Sequence, residues 1–197
     1  MSEVPPAPRR RVRDPERTRR RIVEAVLESL DRGELTPTSR VIAERAGVSE
    51  RSIFVHFSDL DEVRAAAAEE QGRRIDALVE PIEPGGTLRE RIDAVLVQAE
   101  RIYPVQVGLR TAELSVTVVT SPIIDAVRER RARFRDHVEA IFEPELSAAT
   151  DRAELVELLD AALDWSMRHQ LVSRQQLSQQ DASGVVRRIA LAVLRSA

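Results

Sequence analysis

At 197 residues, 43% hydrophobic and 32% charged, the chain is long enough to bury one globular core or two small ones. It has no cysteine, which excludes a disulfide scaffold and thiolate metal sites, and no apolar run near the ~18 residues a membrane-spanning helix needs. The net charge of −3 is uneven: residues 1–21 set eight arginines against Glu3, Asp14 and Glu16, so +5 stands beside a body of −8.

Residues 1–13 are rich in Pro and Arg, without apolar periodicity or the apolar stretch of a secretory leader, and read as a disordered arm on a cytoplasmic protein. A helix is predicted from about Pro15 to Asp31, with Ile22, Val23, Val26, Leu27 and Leu30 on one face and Gly33 past its end. Two short helices follow, Thr38–Ala46 and Glu50–Phe57, joined by Gly47-Val48-Ser49. Asp59 and Glu62 have the spacing of a capping box, which opens a helix to about Val79. Pro81-Ile82-Glu83-Pro84-Gly85-Gly86 is an interior linker, and Thr87 and Glu90 repeat the box.

The helix after Thr87 is expected to be interrupted at Pro104, and 105–119 reads as helix despite the β-branched run Val116–Val119. Ser121-Pro122 opens a helix bearing Ile124, Val127, Phe134, Val138 and Ile141, with an Arg-rich outer face from Arg128 to Arg135 and an end at Pro144. Asp136-His137 reads as part of a solvated face. Two further helices, Asp151–Gln170 and Asp181–Arg195, carry apolar stripes. The chain reads as all-α.

The segment from Thr38 to Phe57 carries the chemistry. Ala43 is small where two short helices must cross, Gly47 suits a left-handed turn, Val48 anchors that turn and Ser49 can cap the next helix. Ile42, Ala46, Ile53 and Phe57 supply the shared core, which is the pattern of a helix-turn-helix. With Ile53 and Phe57 inward, Arg51 and Val55 centre the opposite face, flanked by Ser52, Phe54 and His56. Arg can fork onto guanine, Val can touch a thymine methyl, and Ser or His can meet a base edge or phosphate. Arg40 is placed to grip the DNA backbone.

Ile42-Ala43-x-x-Ala46-Gly47-Val48-Ser49 followed by Ser52-Ile53-Phe54-x-His56-Phe57 resembles the TetR family of bacterial transcriptional regulators, over roughly residues 15–65. The resemblance implies about nine helices: an N-terminal three-helix DNA-binding head at 14–58, a connecting helix at 59–80, and a helical ligand-binding and dimerisation domain at 81–197. It implies DNA contacts at Thr38, Ser39, Arg40, Glu50, Arg51, Ser52, Phe54, Val55 and His56. Phe54 stands where the family usually has Tyr, and Leu60 where it usually has a phosphate-contacting Lys. Arginines at 9–13 and 17–21 are candidates to restore that charge.

The partners expected are a near-palindromic double-stranded operator, a second copy of the chain and a small-molecule effector. Candidate pocket residues are Tyr103, Phe134, Trp165, Met167 and His169. Candidate dimer residues are Leu158, Leu159, Ala162, Leu163, Val185, Ile189 and Val193. No cofactor or metal is expected, because His56, His137 and His169 are isolated and no catalytic spacing appears. The function expected is that of a ligand-released repressor, not an enzyme. An activator, or a regulator with no inducer, stays open beside it; a helical enzyme or adaptor is more remote.

Overall fold

A computed structural model describes residues 14–115 and 121–195, and among them every regular element is helical. The arm at 1–13, the run Val116–Val119 and the side chains of Ile124 and Val127 lie outside the described part. Helix α1 spans Pro15–Asp31; Asp14 caps it by accepting from the Arg17 amide at 3.1 Å, and Pro15 takes the first turn, where no amide is needed. Gly33, at φ 82°, turns the chain away. Helices α2 (Ser39–Ala46) and α3 (Glu50–His56) meet across Gly47, which is left-handed at φ 61°. Helix α4 spans Leu60–Asp76.

The Asp59 box forms in a shifted version. Asp59 accepts from the Glu62 amide at 2.8 Å, but the Glu62 carboxylate reaches back to the Ser58 amide at 2.7 Å. At Thr87 the box closes on itself: Thr87 accepts from the Glu90 amide at 3.3 Å, and Glu90 accepts from the Thr87 amide at 2.8 Å.

Helix α5 departs from expectation. It runs unbroken through Pro104, from Leu88 to Ser115. An interior proline costs a helix about 3 kcal/mol, and packing on both halves offsets this. Ile92, Val95 and Leu96 belong to a core shared with later helices, whereas Leu109 and Ala112 belong to the core of α1–α4. The core of the head therefore does not stop at residue 58: Val63, Ala67 and Ala68 of α4 also enter it.

Helix α6 spans Ser121–Ile141, and Pro144, instead of only ending it, lies in the first turn of the short α7 (Glu143–Ala148). Arg91, almost fully buried, pins α7 to α5 through a two-pronged pair with Glu145 and a 2.7 Å bond to the Ile141 carbonyl. The expected helix 151–170 is broken. Helix α8 (Arg152–Leu163) stops at Asp164, whose extended backbone (ψ 150°) lets its side chain cap α9 (Trp165–His169) at the Ser166 amide, 2.8 Å away. A π-helical turn, Gln170–Arg174, follows, and α10 (Gln179–Arg195) packs against α5 and α8.

The join between the two cores is tight. A methyl group on Gly108 of α5 would stand 2.9 Å from the Leu30 carbonyl carbon and 3.0 Å from the Asp31 nitrogen of α1, both backbone atoms that cannot swing aside. Gly184 in α10 has open space. Gly108→Ala is expected to lower stability by about 1–3 kcal/mol. Gly184→Ala should raise it by about 0.5–1 kcal/mol through helix propensity. Urea midpoints at unchanged m-value check both signs.

Candidate nucleic-acid interface and interior cavity

The head presents α3 on its surface. Ser49 accepts from the Ser52 amide at 3.2 Å, and Ile53 and Phe57 are buried, so the opposite face must point outward. Val55 is 71% exposed and Phe54 50%, and Arg51 is exposed beside them. Ser52 and His56 are half-buried on the flanks. Thr38 is exposed and caps α2 at the Val41 amide, 3.4 Å away.

Some of the head's polar side chains already have partners. Arg40 pairs with Glu44 across one exposed helical turn, at 3.1 Å. Ser39 donates to the Glu50 carboxylate at 2.5 Å, tying the start of α2 to the start of α3. Leu60 is half-buried and packs against the head core.

Sequence reasoning missed the residues that hold α3 in place. Arg19 of α1 donates to the His56 carbonyl at 2.7 Å, pairs with Glu62 of α4 at 3.2 Å and lies 4.0 Å over the Phe57 ring. It is thus occupied inside the head, unlike the exposed Arg17 and Arg20. The Ser58 amide and hydroxyl together with Arg19 hold the Glu62 carboxyl below its ordinary range. Arg45 of α2 forms a two-pronged pair with Glu34, at 3.0 and 3.1 Å, and also meets Ser29 of α1. These partners are distant in sequence, so no local pattern exposed them.

Behind the head, α4 and the segment after it, α5, α6 and the α8–α9 break line an open cavity of about 430 Å³. Ile75, Val79, Ile82, Val95 and Ile102 make an apolar wall, with Phe134, Val138 and Leu163. Arg110, Arg130, Arg131, Arg133 and Arg168 stand among them, against Asp76 and Asp164. Of the five expected pocket residues, Phe134 and Trp165 line the space. Tyr103, Met167 and His169 do not. Met167 packs on the second core. Tyr103 is turned aside, its hydroxyl 2.9 Å from Ser173 and 3.1 Å from His169 Nδ1, and its ring stacks 6.3 Å from Trp165.

The expected Arg-rich outer face of α6 is partly an inner one. Arg130 lies against Gly72 of α4, and burial pulls its guanidinium below the ordinary arginine range. His137, expected on a solvated face, lines the cavity with Nε2 buried and unpartnered. Burial likewise raises the Glu113 carboxyl, against the pull of Arg110.

No protein-family model matches the sequence, and no curated protein matches it. Solved structures share the architecture. A transcriptional regulator from Rhodococcus sp. RHA1 superposes with a TM-score of 0.68 at 19% identity, over 93% of this chain and 97% of that one. A TetR/AcrR-type regulator from Aquifex aeolicus gives 0.58 at 19% identity, over 87% and 96%. A TetR regulator from Rhodococcus sp. RHA1 gives 0.51 at 23% identity, over 92% and 98%. The fold is that of the TetR-type transcriptional regulators.

Within this TetR-type fold the expected dimer residues divide in two. Leu159, Ala162 and Leu163 face inward and belong to the chain's own interior, so they are not available to a second copy. Leu158 is 47% exposed, and Val185, Ile189 and Val193 are half-buried on α10, Val185 and Val193 packing partly on the second core, beside the buried stripe Ala182, Val186, Ala190 and Leu194. Among the described residues no helix is long and apolar enough to cross a membrane.

The His169 ring stacks 4.4 Å from Trp165. Burial, then the Arg174 charge, holds this imidazole below its ordinary value of 6.5. The folded state therefore favours neutral His169. Its contribution to stability is complete above 6.5 and declines as acid protonates the ring. Emission from Trp165, the chain's single tryptophan, should fall with a midpoint below 6.5, because a stacked imidazolium quenches indole. His169→Gln should remove the step; a midpoint at or above 6.5 in the parent chain would contradict it.

Proposed function

We infer that the protein is a homodimeric, sequence-specific DNA-binding transcriptional regulator, a repressor released from a near-palindromic operator by a small molecule held in the cavity. The observation that carries this reading is the outward face of α3, where Arg51, Phe54 and Val55 are exposed on a helix whose other side is locked into the head. A face with one free guanidinium between apolar groups matches the major groove, where guanine offers two acceptors and thymine a methyl. Arg51 is assigned the base contact. Val55 and Phe54 are assigned apolar contacts, and Ser52 and His56 base edges or phosphates. Thr38, Ser39 and Arg40 at the start of α2 are assigned the DNA backbone, with Arg40 exchanging Glu44 for phosphate. Glu50 is assigned the bridge to Ser39 that sets the angle between α2 and α3.

One seven-residue helix offers little interface, so two heads on one two-fold axis are needed for tight binding. The half-buried Val185, Ile189 and Val193 of α10, with exposed Leu158 of α8, are assigned to that axis. The cavity, closed on one side by α4, supports the effector.

Footprinting of the intergenic DNA beside the protein's own gene tests the reading, with a two-fold symmetric protected site as the expected result. On that site Arg51→Ala should cost about 1–3 kcal/mol, with a smaller loss on random DNA. Equal losses on both would reduce Arg51 to a phosphate clamp. Ile189→Glu should shift the chain to monomer in sedimentation velocity while leaving its helical content unchanged; dimers that persist would move the axis elsewhere.

A further inference from the structure

The cavity wall is short of acceptors. Arg130 Nε, Trp165 Nε1 and His137 Nε2 are buried without a hydrogen-bond partner among the described residues. The first two can only donate, and the third donates in one tautomer. Leaving buried donors unmatched is unfavourable, so an occupant that supplies acceptors is favoured. The arginines narrow the choice. Arg110, Arg131 and Arg133 each have a carboxylate within 4.0 Å, and Arg168 donates to Gln179 and Ser183 at 3.0 Å. Arg130 has no carboxylate within 4.0 Å among the described residues, Asp76 and Glu113 acting on it only at longer range, and its one hydrogen bond there is a 3.5 Å contact to the Ala68 carbonyl.

Other ligand classes fit less well. A cation would meet five arginines against Asp76 and Asp164. A flat aromatic would look to Trp165, which already stacks on His169 and Tyr103.

We propose that the cavity takes an alkyl carboxylate, its carboxylate on Arg130 and its chain along Ile75, Val79, Val95 and Ile102. The inference rests on the cavity being the effector site of the regulator proposed above. Arg130 also lies against Gly72 of α4, so a carboxylate that draws the guanidinium inward loosens the contact between α6 and α4.

Titration of the full-length protein with decanoate, decanol and decyltrimethylammonium, below micelle-forming concentrations, tests this through Trp165 emission. Decanoate should bind tighter than decanol by roughly tenfold or more, the worth of one charge-assisted hydrogen bond. Decyltrimethylammonium should not displace it. Arg130→Gln should abolish the advantage of decanoate over decanol, and Arg130→Lys should keep most of it. Equal affinity for decanoate and decanol, no saturable decanoate binding, or an undiminished preference in a folded Arg130→Gln variant would each overturn the proposal. If circular dichroism shows that variant unfolded, the decanoate-to-decanol ratio of the parent chain decides alone. Operator retention measured on the same preparation separates the two claims. Its absence sinks the regulator reading while leaving carboxylate binding to stand or fall on the titration.

Discussion

The structure depends on the passage of α5 from one core to the other. Its first half is buried with α6, α8 and α10, and its second half with α1 and α4. With α4 packed on α6, that continuity makes one body of the head and the later helices. Two details keep it continuous. Pro104 is tolerated because both flanking segments are held by burial, and Gly108 lets the backbone of α5 approach the end of α1 more closely than any side chain would permit. Van der Waals exclusion at one residue thereby fixes how closely the end of α1 lies against α5.

Arginine in this protein performs three separate jobs. Arg19, Arg45 and Arg91 act as cross-braces, each donating to carbonyl, carboxylate or hydroxyl oxygens on two other segments. Arg51 points into solvent on α3. Arg130 is turned into the interior. The planar fork of arginine, with donors on several sides, makes the bracing possible where a lysine would supply a point charge. The compositional bias toward arginine thus hides a division that only the contacts reveal.

Where a feature follows from short-range chemistry, the sequence predicts it. The bounds of α2 and α3 follow from Thr38, Gly47 and Ser49, each used in the structure as its residue type suggests. The exposure of Val55 follows from placing Ile53 and Phe57 inward. What escaped depends on distant partners. Pro104 looked like a stop because propensity is local while the compensating burial is not. Asp164 looked like the interior of an amphipathic helix, yet its side chain prefers to cap α9, and that break brings Trp165 and Arg168 to the cavity. Arg130 and His137 looked solvated because charge usually faces water. Their inward turn is dictated by α4 lying against α6.

Helix α3 is only two turns long, below the length at which a peptide helix persists on its own. Its shape is therefore borrowed from Ser49 at one end and from the Arg19 guanidinium, over Phe57 and on the His56 carbonyl, at the other. A lesion at position 19, far along the chain from the exposed side chains Arg51, Phe54 and Val55, would blur them all together. The order of that exposed face is thus as sensitive to its brace as to the residues that form it.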